Sequence, residues 1–175
     1  FYGSTESLAV TICNSKEWLA HPGTVGRAVE GAEIRIVGDD GGELKTGEIG
    51  EVFAGFRNMA DFTYQGKPEE RAKIDRDGLI TSGDVGYFDA DGYLYLCDRK
   101  RDMVISGGVN IYPAEIEAVL LNMAQVADGC VFGIPDAEYG EKLHAVVQPL
   151  PGANVTAADV RAFLARHLAN YKVPQ

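Results

Sequence analysis

The sequence predicts a mixed α/β fold in two parts. A small antiparallel β-barrel or meander is expected over residues 1–97, and a small α+β domain over residues 98–175. Most of the 21 glycines lie before residue 108, where they separate short runs of alternating or β-branched residues. Helical periodicity begins only after residue 98. A run of charged residues, CDRKRD (97–102), divides the two patterns and marks the expected boundary.

The first part contains five predicted strands, each rich in β-branched or aromatic residues. They are EIRIV (33–37), GEVFA (50–54), GLITS (78–82), VGYFD (85–89) and GYLYLC (92–97). Tight turns are predicted between them at GDDGG (38–42), DRDG (75–78) and DADG (89–92). Glycine and aspartate accept the backbone angles of such turns. DADG could also open a calcium loop, but Lys100 stands where that loop needs its final glutamate, which favours the hairpin.

The second part alternates strands and helices. DMVIS (102–106) is one predicted strand, and Pro113 opens a helix whose first turn holds Glu115 and Glu117. Further strands are expected at 129–134 and 143–149, and Thr156 is a suitable N-cap for a last helix. The residues predicted to form the buried faces of the two helices are Ile116, Val119, Leu120, Met123, Val160, Phe163, Leu164 and Leu168.

Composition and charge exclude several classes of protein. The net charge of −10 opposes nonspecific binding to nucleic acid and to anionic membranes, which needs a basic surface. No apolar run reaches the length of a transmembrane segment. The odd, widely spaced cysteines predict buried, reduced thiols and a cytoplasmic protein, and no cysteine or histidine has zinc-site spacing. These residues are Cys13, Cys97, Cys130, His21, His144 and His167.

Four motifs contain candidate binding or catalytic residues. In chain order they are YGSTE (2–6), TSGD (81–84), DRKRDMVISGGVNIYPAEIE (98–117) and YKVP (171–174). The third resembles the hinge and glycine-turn signature of the adenylate-forming superfamily, which contains acyl-CoA synthetases, luciferases and adenylation domains. The other three occur in the order of that superfamily. The resemblance implies that a carboxylic acid attacks ATP to give an acyl-adenylate, from which CoA then displaces AMP. The third motif looks most like CoA ligases of fatty or aromatic acids.

The resemblance assigns four residues of the first motif to ATP. Tyr2 matches the aromatic residue that packs on adenine, and Gly3 lets the backbone approach the base. Thr5 matches a hydroxyl that donates to the adenylate phosphate. Glu6 matches the carboxylate that helps to hold Mg²⁺, a cation that prefers oxygen ligands. Thr5 and Glu6 are therefore the expected catalytic residues of this chain.

Five further residues match the later motifs. Asp84 corresponds to the acid that accepts the ribose hydroxyls, and Arg99 to the arginine that also contacts the ribose. Arg101 falls at the hinge, where the superfamily has Asp or Lys. Gly107 and Gly108 correspond to the turn that approaches the pantetheine arm of CoA. The last helix, which follows Thr156, and the stretch GIPDAEYGE (133–141) are expected to be architectural rather than catalytic.

Parts of the superfamily pattern are missing from residues 1–175. The phosphate-binding loop belongs before YGSTE, and the lysine that stabilises the attacking carboxylate belongs after YKVP; Lys172 is too early for that role. We therefore expect the end of a large domain and most of a small one, without adenylation activity of its own. A carrier-loading adenylation domain and a non-catalytic nucleotide-binding module remain alternatives. The acid, and the choice between monomer and homodimer, stay open.

Overall fold

The computed structural model describes residues 1–175 and contains two compact units, Phe1–Lys100 and Arg101–Gln175. Each unit has its own antiparallel sheet. The division lies three residues beyond the predicted boundary at residue 97, at Lys100. The assignment of the units to a large and a small domain of the superfamily stays a prediction.

The first unit is an antiparallel meander with two short helices. Its elements are β1 (Tyr2–Ser4), β2 (Leu8–Ile12), α1 (Ser15–Ala20), β3 (Thr24–Ala28), β4 (Ala32–Val37), β5 (Gly50–Phe56), α2 (Pro68–Lys73), β6 (Asp75–Arg76), β7 (Leu79–Phe88) and β8 (Leu94–Arg99). The strand order is β1-β2-β3-β8-β7-β5-β4, with β6 paired to β7. Because the strands at the two ends of this order, β1 and β4, do not pair, the sheet is open. The predicted mixed α/β class is confirmed, as a meander and not a closed barrel.

Two predicted strands, 78–82 and 85–89, are one continuous strand in the structure. Strand β7 runs through Gly83, whose φ of +79° is left-handed. A β-bulge between Val85 and Gly86 changes the pairing of β7 with β8. Glycine tolerates such angles within a strand, so the break between the two predicted strands is a local distortion of one strand.

Strands β1 to β3 and helix α1 were not predicted from the sequence. Strands β1 and β2 form a hairpin in which Gly3 faces Ala9. A Cβ on Gly3 would lie 1.7 Å from the carbonyl oxygen of Leu8, so only glycine fits this close approach. Helix α1 has a capping box between Asn14 and Glu17. That Asn-x-x-Glu spacing was a usable signal for the start of this helix.

The centre of the first unit is apolar. Ile36, Val52 and Leu94 form one buried cluster, against which Tyr2 packs. A second cluster joins strands β4, β5 and β7. The strands that hold the predicted nucleotide residues therefore rest on a packed core, which restrains their side chains.

The second unit packs two helices against a four-stranded sheet. Its elements are β9 (Val104–Ser106), β10 (Val109–Ile111), α3 (Pro113–Leu120), β11 (Val126–Asp136), β12 (Gly140–Pro149), α4 (Ala157–Ala165) and a 3₁₀ turn (Asn170–Lys172), with strand order β10-β9-β12-β11. Ile116, Leu120 and Leu164 are fully buried in its core. Thr156 caps α4 in a capping box with Asp159, as the sequence predicted.

None of the three cysteines forms a disulfide, but the expected burial of the thiols is wrong: Cys13 and Cys97 are only half-buried, and Cys130 is exposed. Cys130 is exposed on β11, directly opposite Val146, which is also exposed. Residues paired in this way point to the same face of a sheet, so both lie on the face away from the buried core. No helix in the structure combines the length and the apolar character needed to cross a membrane.

Candidate functional site

Three of the predicted nucleotide residues meet in the first unit. Asp84 on β7 and Arg99 on β8 are register partners in the sheet. Arg99 Nε lies 3.3 Å from Asp84 Oδ1, and the Tyr2 hydroxyl donates to Asp84 Oδ2 over 2.8 Å. Each carboxylate oxygen of Asp84 thus has a donor from a different strand. Folding brings together positions at both ends of a 98-residue stretch of sequence, Tyr2 to Arg99.

Backbone geometry at Gly83 sets the direction of Asp84. The left-handed φ of Gly83 is held on both sides, because its N–H donates to Thr81 Oγ1 over 2.9 Å and its carbonyl accepts from the Lys100 N–H over 2.7 Å. The TSGD motif is therefore a glycine distortion that ends in a fixed carboxylate. Tyr2 and Arg99 then complete the cluster around Asp84.

Burial controls the charge states in this cluster. Burial first, and then the hydrogen bond and negative charge of Asp84, raise the pKa of Tyr2 well above its ordinary value. Tyr2 therefore remains a neutral hydroxyl donor at physiological pH. The Arg99 side chain is 53% exposed, whereas that of Asp84 is only 13% exposed. The arrangement offers a buried acceptor and an accessible cation side by side, which suits a polyhydroxyl group such as a ribose.

Glu6 lies apart from this cluster, in the β1–β2 turn. Ser4 and Ser7 fix the turn reciprocally, since each hydroxyl accepts the other residue's N–H, over 3.0 Å and 3.2 Å. Thr5 is exposed in the same turn. The Tyr64 hydroxyl donates to Glu6 Oε1 over 2.9 Å. A rigid turn therefore presents the two residues that the sequence assigns to phosphate and Mg²⁺.

The surroundings of Glu6 fit a divalent cation. The hydrogen bond from Tyr64, followed by donors from the turn itself, lowers the pKa of the Glu6 carboxyl, and no cation of the chain contributes to that shift. The carboxylate is thus ionised without a positive partner. Mg²⁺ is usually held by one or two carboxylates together with substrate phosphates, so a single such carboxylate is a reasonable protein ligand.

A cleft of about 360 Å³ borders Glu6 and Ser7. Its other walls come from residues 55–57 and 59–62, from Arg71 and Asp75, and from Gly78 and Ile80. Asp84 and Arg99 are not among the lining residues. The predicted site therefore has two separate parts in the structure, the cluster around Asp84 and the cleft beside Glu6. The β1–β2 hairpin contributes a residue to each part, Tyr2 to the cluster and Glu6 to the cleft.

The remaining predicted residues have clear local environments. Arg101 is the first residue of the second unit, and its side chain is 77% exposed and 3.5 Å from Asp102. Gly107 and Gly108 form the β9–β10 turn with φ of +58° and +79°. This left-handed geometry favours glycine whatever else the turn does. The roles of these residues, and of Gly3 toward adenine, stay predictions.

One cluster was not expected from the sequence. His21 approaches Asp89 and Asp91, and their ligand-type atoms all lie within 4.8 Å of one another. Asp89 already accepts the backbone N–H groups of Asp91 and Tyr93 and contacts His21 Nδ1 at 3.2 Å. The His21 ring also stacks on Tyr93. These contacts explain why the three residues lie together: they stabilise the predicted DADG hairpin turn.

Tyr64, which contacts Glu6, is a site residue that the sequence patterns did not indicate. It lies in the irregular stretch between β5 and α2, which has neither helical nor strand periodicity. Only its contact with Glu6, 58 positions away in the sequence, indicates a role. No local signal could have found it.

Comparison with known proteins then decides the family. The model of the AMP-binding enzyme family matches residues 1–61, and that of the AMP-binding enzyme C-terminal domain matches residues 115–175. The chain belongs to the AMP-binding enzyme family. Asp84, Arg99 and the two turn glycines lie between the matched ranges, within the 99% of the chain that aligns with the relatives described below. The predicted resemblance to the adenylate-forming superfamily is confirmed.

Individual AMP-binding relatives are CoA ligases. The chain is 44% identical to 3-[(3aS,4S,7aS)-7a-methyl-1,5-dioxo-octahydro-1H-inden-4-yl]propanoyl:CoA ligase of Rhodococcus jostii, with 99% of the chain and 32% of that protein aligned. It is 38% identical to indoleacetate–CoA ligase of Aromatoleum aromaticum, over 99% of the chain and 34% of that protein. The chain spans about a third of the length of these curated relatives.

A solved AMP-binding enzyme has the same architecture. The o-succinylbenzoate CoA synthetase of Bacillus subtilis, determined with its acyl-adenylate intermediate, superposes with a TM-score of 0.90 at 33% identity. The match covers 99% of this chain and 35% of that structure. The mixed α/β fold derived above is therefore the fold of this part of an AMP-binding enzyme.

Proposed function

We propose that the protein containing this chain is an AMP-forming acyl-CoA synthetase. It would activate a carboxylic acid with ATP to an acyl-adenylate and pyrophosphate, and then transfer the acyl group to CoA. The observation that carries this proposal is the Tyr2–Asp84–Arg99 cluster, since it joins an aromatic ring, a buried acceptor and an accessible cation. The enzyme is expected in the cytoplasm, as a monomer or a homodimer.

Asp84 and Arg99 would hold the ribose. A carboxylate fixed by a strand can accept two neighbouring hydroxyls, and its burial strengthens that interaction. Tyr2 packs against the apolar core and is only partly buried, so part of its ring remains accessible to an adenine. The close fit at Gly3 keeps this ring on the hairpin beside Asp84.

Thr5 and Glu6 would act at the phosphates. Thr5 is exposed in the turn, where its hydroxyl can donate to the adenylate phosphate. Glu6 would hold Mg²⁺, which when bound offsets charge on the departing pyrophosphate. The rigid Ser4–Ser7 turn fixes both side chains before substrate binds, which reduces the reorganisation needed during the reaction.

The second unit would serve the transfer to CoA. Arg101 would be the hinge between the two half-reactions, a role compatible with its exposure at the junction of the units. Gly107 and Gly108 would approach the pantetheine arm. A Cβ on Gly108 would meet no atom within 4 Å, so this side of the turn is open to a ligand.

The acid is proposed to contain a ring. The two relatives described above are named for acids with ring systems, indoleacetate and a fused-ring propanoate, whereas two other similar proteins are named for oxalate and for fatty acids. We place an aryl or other cyclic acid ahead of the fatty acid that the sequence also allowed.

The test is an assay of the full-length protein with ATP, Mg²⁺ and a panel of ring-containing and straight-chain acids. Each acid is offered with CoA or with a phosphopantetheinyl carrier protein, and AMP and the acyl thioester are measured. We expect AMP release and acyl-CoA with a ring-containing acid. AMP release that requires the carrier would favour the carrier-loading alternative. Nucleotide binding without AMP release would favour a non-catalytic module.

A further inference from the structure

Tyr64 connects an irregular segment of the first unit to the Glu6 carboxylate. The segment, residues 57–67, follows β5 and precedes α2. The Tyr64 hydroxyl donates to Glu6 Oε1 over 2.9 Å. A glutamate in an exposed turn has three rotatable bonds and samples several orientations unless a contact selects one. The hydrogen bond from Tyr64 is the long-range contact that makes this selection.

The segment is itself anchored, so Tyr64 has a defined position. Arg71 on α2 binds Asp61 over 2.9 Å and Asp75 over 2.7 Å, and its side chain is only 13% exposed. The Arg71 guanidinium lies 4.8 Å from the centre of the Phe62 ring. Phe62 meets Tyr64 edge to face at 5.5 Å. A continuous series of contacts therefore runs from α2 to the hydroxyl that holds Glu6.

The same contacts leave Glu6 without a cation from the protein. Arg71 lines the cleft with Glu6, but its guanidinium already faces two carboxylates, Asp61 and Asp75. Tyr64 donates through an uncharged hydroxyl, so it brings no positive charge to Glu6. Glu6 is thus oriented by a neutral donor, which leaves its negative charge uncompensated.

We infer that Tyr64 is a positioning residue that orients the Glu6 carboxylate toward the divalent cation accompanying ATP. This inference rests on the proposed function, because it takes Glu6 as the cation ligand. Partners that hold a metal-binding carboxylate are important to metal affinity, and their loss typically weakens it 10- to 100-fold. Segment 57–67 would act as a structural support of the cation site, although Tyr64 does not touch the cation.

The experiment compares wild type with Tyr64→Phe in the full-length protein. The substitution removes one oxygen and keeps the ring that packs on Phe62. Binding of Mn²⁺ in the presence of ATP is followed by electron paramagnetic resonance, and binding of ATP without divalent cation is followed by calorimetry. We expect Mn²⁺ affinity to fall about tenfold and the cation-free affinity for ATP to remain unchanged. The Mg²⁺ concentration for half-maximal AMP release should rise by a similar factor.

Two further variants separate positioning from general disruption. Glu6→Gln should weaken Mn²⁺ binding, and adding Tyr64→Phe to it should have little additional effect, since the two residues act as one unit. Phe62→Leu loosens the segment but keeps the hydroxyl, and should weaken Mn²⁺ binding less than Tyr64→Phe. Wild-type Mn²⁺ affinity in Tyr64→Phe or in Glu6→Gln would overturn the inference. The metal-binding result is independent of AMP release, so an absence of turnover would count against the proposed function alone.

Discussion

The hydroxyl of Tyr2 donates a 2.8 Å hydrogen bond to Oδ2 of Asp84, which lies 82 positions further along the chain. This contact ties the first strand of the meander, β1, to strand β7. The other oxygen of Asp84 faces Arg99. One buried carboxylate therefore organises an aromatic ring and a cation, and its loss should affect both.

Replacement of Asp84 by Ala in the full-length enzyme should sharply raise the KM for ATP. A ribose held in a buried position would lose its acceptor, and an unsatisfied buried group costs about 1–3 kcal/mol. This corresponds to an increase of roughly 5- to 150-fold in KM. Asp91→Asn, in the exposed turn after β7, is the control for removal of one negative charge. An unchanged KM for ATP in Asp84→Ala would remove Asp84 from the nucleotide site.

Replacement of Tyr2 by Phe should loosen the β1–β2 hairpin without unfolding the unit. The ring still packs on the core, but the hydrogen bond to Asp84 is lost, at a cost of about 1 kcal/mol. Amide hydrogen exchange in β1 and β2 should therefore be roughly fivefold faster, as mass spectrometry can measure. Tyr87→Phe, on β7, is a matched control and should leave exchange in this hairpin unchanged. Equal protection in wild type and Tyr2→Phe would show that the hydrogen bond does not hold β1.

Gly108→Ala should separate the two half-reactions. Both Gly108 and Gly152 have left-handed φ, +79° and +82°, and a Cβ on either meets no atom within 4 Å. Alanine therefore causes similar backbone strain, about 1–2 kcal/mol, at both positions. If Gly108 approaches the pantetheine arm, its variant should lose about tenfold in acyl-CoA formation while ATP–pyrophosphate exchange stays near wild type.

The control for that experiment is Gly152→Ala, which should leave both half-reactions intact. Assays of ATP–pyrophosphate exchange and of thioester formation on the same preparations make the comparison direct. A parallel loss of both activities in Gly108→Ala would mean that the β9–β10 turn supports folding of the unit and not CoA binding.

Sequence patterns predicted the parts of the fold whose signals are local. The helix after Pro113 and the cap at Thr156 follow from single-residue preferences that no long-range contact overrides. The β1–β2 hairpin was missed because its glycine and hydroxyl residues resemble a turn. Close approach between Gly3 and Leu8, which no sequence pattern reports, makes it a hairpin.

The candidate site was predictable only through the family motifs. Asp84 and Arg99 lie 15 positions apart in the sequence, and their pairing depends on the register of β7 and β8 across a bulge. Bulges change register in ways that alternation alone does not reveal. Tyr64 was even less predictable from the sequence, because its proposed role comes from a side-chain contact made by an irregular segment.

Glu33 should make the first unit sensitive to acid. Hydrogen bonds from Arg57, and then those from Arg35, lower the pKa of Glu33 from the ordinary value of 4.5 to about 2. Because the folded-state pKa is depressed, the stabilisation is fully present above about pH 4.5 and is lost as the pH falls toward 2. Glu33→Gln should therefore lower the Tm at neutral pH and reduce its dependence on pH in this window.

The measurement is the Tm of the full-length protein between pH 2 and 7, followed by circular dichroism. Glu43→Gln is the matched control, because Glu43 is 3.9 Å from Arg35 in an exposed position and has no contact with Arg57 in the ion-pair network. Its pH profile should follow wild type. Arg57 is the first residue of segment 57–67, which contains Tyr64. The ion pair between Arg57 and Glu33 therefore also anchors the start of that segment. An identical pH slope in wild type and Glu33→Gln would mean that this ion pair persists in the unfolded chain or contributes nothing to folding.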